Sequence, residues 1–207
     1  IIEGLTFRVT GAAGIYNSDK KQYYNTLTKM GRPINGIGNL IDDKSLYYQN
    51  SNILTYDKIF ATRHHLTLTG VAEQQSTKSY GSDLQAQGFA SDITGVYDIG
   101  GASQTNYRSS YDSRRNINSW LVRVNYGFAD KYLLTVSYRA DGSSVFGKNN
   151  KWGYFPSASL AWRASEEEFI KNLNIFSDLK FRGSWGKTGN QAIAVYGSLA
   201  KIGSGLN

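Results

Sequence analysis

Gly186-Lys187-Thr188 has the residue types that close a phosphate-binding loop, where backbone N–H groups and a lysine cradle the phosphates. That loop needs an earlier glycine where Phe181 stands, so the match fails. His64 and His65 offer adjacent imidazoles, but neighbours on an extended strand point to opposite faces and cannot grip one ion together. Glu166-Glu167-Glu168 supplies carboxylates, whereas glycoside hydrolysis needs two of them held across the scissile bond. No second acidic group stands at a suitable spacing, and a solvated turn is the plainer reading. The chain has no Cys, which excludes disulfides and thiolate metal sites. These residues assign no catalytic group, metal site or cofactor, and the expectation is that the chain is not an enzyme.

Binding is better supported than catalysis. Tyr16, Tyr23 and Tyr24 lie in one long irregular stretch, and Tyr97, Asp98, Tyr107, Arg108, Tyr111 and Asp112 lie in another. Aromatic faces stack on sugar rings, and carboxylates and guanidinium groups meet hydroxyls or peptide backbone. This set is expected to contact a ligand or a partner, although loop tyrosines also pack such stretches against each other.

The elements that must position these residues are strands. Fifteen Tyr, nine Phe and four Trp against a single Met is the composition of a strand former. Trp120, Val122, Val124, Tyr126 and Phe128 share one face of an alternating run, and Leu121, Arg123, Asn125 and Gly127 share the other. After the short turn Ala129-Asp130-Lys131, Tyr132, Leu134, Val136 and Tyr138 alternate with Leu133, Thr135, Ser137 and Arg139. Runs joined this tightly must be antiparallel neighbours. The same alternation recurs at 5–10, 53–60, 63–72, 152–163 and 179–185, giving seven strands. Each is of the order that a tilted membrane strand needs, about 9–11 residues.

Connection lengths separate the two ends of this sheet. Tight turns fall near Ala61-Thr62 and Asp130, while stretches 12–49, 77–117 and 142–151 all fall on the opposite end if direction alternates. Membrane barrels have short turns on one side and long extracellular loops on the other. The connection 164–177 falls on the short-turn end, and its Ser165-Glu166-Glu167-Glu168 start resembles a capped helical turn. Trp120, Trp152, Tyr154, Trp162 and Trp185 near strand ends suit interfacial girdles. Arg8, Arg63, Arg123, Arg139, Arg163 and Arg182 fall mostly on the polar faces. In a membrane barrel those faces look into the lumen, because charge at the lipid midplane costs roughly 2–4 kcal/mol.

The bulk numbers agree with this reading without demanding it. Mean hydropathy is mildly polar, as in any wall that alternates lipid-facing and lumen-facing residues. The net charge of +7 is spread along the chain, with only Lys20-Lys21 and Arg114-Arg115 adjacent, so no nucleic-acid partner is expected. No apolar run approaches the roughly 20 residues of a membrane helix. Ile1-Ile2-Glu3-Gly4 has neither an initiating Met nor a leader pattern, so the chain is expected to start within a longer protein.

The stretch from Trp120 to Tyr196 carries more than a pattern. Leu121-Val122-Arg123-Val124-Asn125-Tyr126, the run Lys131 to Gly147, Lys151-Trp152-Gly153-Tyr154-Phe155-Pro156-Ser157-Ala158, Arg182-Gly183-Ser184-Trp185-Gly186-Lys187-Thr188-Gly189-Asn190-Gln191 and Tyr196 resemble the barrel core of SusC/RagA-type TonB-linked (TonB-dependent) outer-membrane proteins. Gly4 to Val9, Ile53-Leu54-Thr55-Tyr56-Asp57-Lys58 and His64-His65-Leu66 resemble that family's barrel strands as well.

The resemblance implies an all-β, antiparallel, up-and-down transmembrane barrel, of which 1–207 would be a partial domain of about seven or eight strands in a wall of roughly 22. It also implies nutrient import across the bacterial outer membrane. The partners would be a SusD-like surface lipoprotein, the TonB complex acting through a plug region, a glycan or peptide substrate, and outer-membrane lipid. The plug, signal peptide and C-terminal strands are expected to lie outside this chain. Arg8, Arg123, Arg139, Arg163 and Arg182 would then line the lumen and face the plug. A soluble β-sandwich, such as a carbohydrate-binding module, or a non-transporting surface barrel would share the alternation. Behaviour without detergent separates the soluble module from a barrel wall.

Overall fold

A computed structural model of the chain describes residues 2–147 and 150–189. Seven strands form one sheet in which spatial order follows sequence order. They are β1 (Leu5–Tyr24), β2 (Ile37–Phe60), β3 (His64–Phe89), β4 (Ala102–Phe128), β5 (Tyr132–Ser143), β6 (Trp152–Arg163) and β7 (Lys180–Gly186). The 164–177 connection holds a 3-10 turn, Ala164–Glu166, and one helical turn, α1 (Glu168–Lys171). Its expected serine cap is absent. The N-cap is Glu167, without a side-chain capping bond, and the Ser165 hydroxyl turns to the Asp178 carboxylate instead.

The first four strands run far beyond the spans that alternation marks. They are 20, 24, 26 and 27 residues long, so most of the stretches read as irregular loops, 12–49 and 77–117, are paired strand. What remains are the connections 25–36 and 90–101. Past the apolar band, Ser, Thr, Asn, Gln, Lys and Tyr occupy both faces, so the hydrophobic contrast vanishes while backbone pairing continues.

The chain divides into two compact units, one of residues 1–12, 49–75 and 116 onward, the other of 13–48 and 76–115. In the first, β4 to β7 are antiparallel, with a register that stacks like on like. Val122, Val124, Tyr126 and Phe128 stand opposite Tyr138, Val136, Leu134 and Tyr132. Leu134 and Tyr132 in turn stand opposite Leu160 and Trp162, and Trp162 stands opposite Phe181.

Both tight turns place consecutive non-glycine residues at positive φ, Ala61 and Thr62 at 48° and 57°, Ala129 and Asp130 at 53° and 54°. Two left-handed central residues give the type I′ geometry, whose twist matches the flanking strands and which favours Asn-Gly. The Asp130 turn makes its outward bonds through backbone atoms: Ala129 N–H donates to the Arg63 carbonyl, and the Asp130 carbonyl accepts from Arg163. Ala129→Asn with Asp130→Gly keeps both bonds and removes left-handed strain. It is expected to stabilise the hairpin by about 1 kcal/mol, read as a higher urea midpoint; an unchanged or lower midpoint contradicts the strain argument.

Candidate functional site

The first unit has two faces of opposite character, and the apolar one is open. Along β5, Tyr132, Leu134, Val136 and Tyr138 are exposed, while the intervening Leu133, Thr135 and Ser137 are half-buried. On β4 the exposure reaches 59% at Trp120 and 61% at Val122. No second layer of described residues covers this face. A soluble sandwich buries its apolar face and wets the polar one, and here the order is reversed. Leu5, Phe7, Val9, Leu54, Leu160, Phe181 and Trp185 extend the exposed apolar set across the other strands.

Aromatic rings mark the ends of this band. Toward the tight turns, His64 stacks on Phe60 with centroids 5.1 Å apart, lies 4.9 Å from Phe128, and shares a 2.7 Å hydrogen bond with the Tyr126 hydroxyl. Trp162 stacks on Phe181 at 5.8 Å. Toward the other end, Tyr138 stacks on Tyr154 at 6.0 Å, with Trp120 and Trp152 exposed nearby. His65 turns away from His64 to the polar face, where Asp57 accepts from Thr67 at 2.6 Å and lies 3.0 Å from the His65 ring.

Glu167 fastens the turn end. One carboxylate oxygen accepts from the Tyr132 hydroxyl at 2.8 Å and the Trp162 indole at 3.3 Å, and the other from Lys131 at 3.0 Å. These donors, Tyr132 first, hold its pKa below the usual carboxylate value. Glu166 pairs with Lys171 at 2.8 Å and with Arg163 at 3.4 Å. Glu166 and Glu167 are thus structural ties rather than parts of a free solvated turn, while Glu168 is exposed.

The arginines on the polar side differ in what they touch. Arg139 donates to both oxygens of Asp141 at 2.8 and 2.9 Å and to the Ser119 hydroxyl at 3.2 Å, and Asp141 and Ser119 are buried. Arg163 is tied to the turns. Together with Lys180, Arg182, Asp130, Glu166 and Asp178 it lines a polar hollow of roughly 520 Å³. Arg63 departs from the expected polar face: it lies in the turn before β3 and its guanidinium sits over the Phe128 ring at 5.1 Å. Arg8 and Arg123 are exposed and make no ion pair among the described residues.

In the second unit, most residues singled out for binding have partners that spacing did not show. The Tyr111 hydroxyl donates to Asp43 at 3.0 Å, Asp112 lies 3.6 Å from Lys78, and Arg108 lies 3.9 Å from Asp83. Lys21 sits 5.2 Å above the ring of Tyr97, which is 84% exposed, and Tyr16 is also exposed. Tyr24 is half-buried at the end of β1, and Asp98 lies in the connection before β4. Tyr107 is in β4, and its side chain lies outside the described residues. Tyr23 packs edge-on to Phe89 at 5.1 Å and donates at 2.8 Å to Asp92, which also accepts from Thr26. The Thr26 bond first, then that of Tyr23, lowers the Asp92 pKa. Gly36 is needed here, because its φ is 88° and an added Cβ would stand 2.7 Å from the Tyr23 hydroxyl.

Sequence reasoning missed Asp92, which bonds to Tyr23 and Thr26 across 69 and 66 residues, Asp43, which bonds to Tyr111 across 68, and Asp83, the partner of Arg108. It also missed a polar set on the outward face. Asn50, Asn52, Gln74 and Asn118 share strand parity with Leu54, Ala72 and Trp120, and that parity was the available signal.

Comparison with known proteins agrees with this geometry. Residues 3–204 match the family described as TonB dependent receptor-like, beta-barrel. TonB-dependent receptor P3 of Formosa agariphila is 34% identical over 203 residues, covering 98% of this chain and 20% of that protein. SusC of Bacteroides thetaiotaomicron is 46% identical over 86 residues, 42% of this chain and 9% of that protein. Among solved structures, the RagAB peptide transporter superposes with a TM-score of 0.83 at 25% identity, covering 95% of this chain and 22% of the other. The chain spans about a fifth of the length of such relatives. An open sheet with an exposed apolar face, sequential strand order and these matches converge: the chain belongs to the TonB-dependent receptor-like β-barrel family, as a portion of a SusC/RagA-type barrel wall.

Proposed function

We propose that this chain is wall and external hairpins of an outer-membrane importer, which captures an oligosaccharide or peptide together with a SusD-like surface lipoprotein and is driven through TonB. The observation that carries the reading is the reversed exposure along β5, apolar residues open and polar residues half-buried, which suits a wall between hydrocarbon and an aqueous lumen. Short turns would face the periplasm and the long hairpins the outside. The SusC and RagAB relatives support import, and the naming of RagAB as a peptide transporter keeps peptides beside glycans as substrate classes.

Within this reading, Tyr16, Tyr97 and Tyr111, exposed tyrosines of the second unit, are capture residues. Arg8, Arg123 and Arg182 face the plug. In cells carrying the full receptor, Tyr16→Ala, Tyr97→Ala and Tyr111→Ala combined should leave outer-membrane abundance unchanged. Uptake of a labelled oligosaccharide or peptide mixture should fall tenfold or more, and undiminished uptake of both would overturn capture by these hairpins.

A further inference from the structure

We propose that the outward face of the first unit is a binding site for one lipid of the surrounding outer leaflet, a glycolipid with an uncharged sugar head. This rests on the membrane reading above. An acyl chain would lie in a trough over Gly70, and its sugar would lie among amides above it.

The trough holds roughly 270 Å³ between Phe7 and Leu54 on one side and Trp120 and Val122 on the other, with Gly70 and Ala72 between them. A Cβ placed on Gly70 would meet nothing within 4 Å, so the missing side chain leaves open space rather than tight packing. Asn52, Ala72 and Trp120 also line a second hollow of roughly 350 Å³, so the trough runs directly into it.

That second hollow is lined by side-chain amides and two indoles and carries no lysine or arginine. Asn52 donates to the Asn50 amide oxygen at 2.6 Å, which leaves the Asn52 amide oxygen, its second N–H and both Asn50 side-chain N–H groups without a side-chain partner among the described residues. Gln74 and Asn118 have no side-chain hydrogen bond among the described residues. Trp152 closes one side. In register Asn118 faces Gly142, which faces Trp152, and a Cβ on Gly142 would stand 3.0 Å from the indole, so the ring lies across the glycine.

These groups select among lipid heads. Amides donate and accept, as hydroxyls do, so a sugar can satisfy them. An indole face suits the apolar face of a sugar ring. A phosphate would find no counter-charge in this lining. Amides at the edge of hydrocarbon are costly without partners, and a head rich in hydroxyls supplies them where a hydrocarbon neighbour does not.

The test is native mass spectrometry of the full receptor in detergent, titrated separately with monoglucosyl diacylglycerol and phosphatidylglycerol of the same acyl length. One glucolipid should be retained per receptor, at least tenfold more tightly than phosphatidylglycerol. Gly70→Leu, or Ala72→Leu if the first variant does not fold, should fill the trough and reduce retention tenfold or more. Gln74→Leu with Asn118→Leu should abolish the preference between the two lipids. Equal retention of both lipids by the unaltered receptor, or retention unaffected by filling the trough, would overturn the proposal. A heat-modifiable receptor band on gels, scored in parallel, separates these outcomes from failure of the membrane reading, which would remove that band from the unaltered receptor.

Discussion

Val124→Arg is expected to cost the folded receptor about 2–4 kcal/mol and to deplete the heat-modifiable form in the outer membrane, while Arg123→Ala is expected to leave assembly nearly intact. Val124 sits midway along the apolar band of β4, between Phe128 at the turn and Trp120 at the far edge of that band, and it pairs with Val136 across the β4–β5 ladder. An arginine there would have to place its charge at the hydrocarbon midplane or distort the strand to escape it. Arg123 is on the opposite face, in register with Ser137, and has no ion pair among the described residues to lose. Equal losses for the two substitutions, on gels run with and without heating, would remove this assignment of the faces.

The sequence marked this contrast because a lipid-facing wall needs apolar residues at every second position, and the runs 120–128, 132–138 and 152–162 supply them without interruption. The hairpin register follows from the tight turn at Asp130, which leaves no slack for a slipped pairing. The long outer pairing of β1 to β4 was not legible. Lys20, Gln22, Ser45, Lys78, Ser79 and Ser113 do not alternate in polarity, and backbone hydrogen bonds have no signature in side-chain type.

Candidate binding residues were legible by type but not by use. Tyr23 reads like any other loop tyrosine, yet it is held by Asp92 and Phe89. Tyr111 similarly bonds to Asp43 across 68 positions of sequence. Such contacts depend on how hairpins pair far from any turn, which local spacing does not encode. Glu167 is a third case. Its donors Lys131, Tyr132 and Trp162 are themselves brought together only by the β5–β6 ladder.

Arg139, bonded to Asp141, is a structural arginine, unlike the exposed Arg8 and Arg123. Arg139→Leu is expected to destabilise the receptor by about 2–3 kcal/mol, because it strands a carboxylate whose side chain is only 10% exposed. Asp141→Asn should cost about 1 kcal/mol or less, since the amide oxygen still accepts from the guanidinium. Arg139, with its side chain 45% exposed, keeps access to water in that variant. The double substitution Arg139→Leu with Asp141→Leu should recover part of the single loss, because no buried charge is left without a partner. Urea titration of the folded receptor in micelles reads all three. If Arg139→Leu leaves the urea midpoint where it was and abolishes uptake instead, then Arg139 belongs with Arg123 as a lumen contact, and the Ser119–Arg139–Asp141 cluster contributes little to holding β4 against β5.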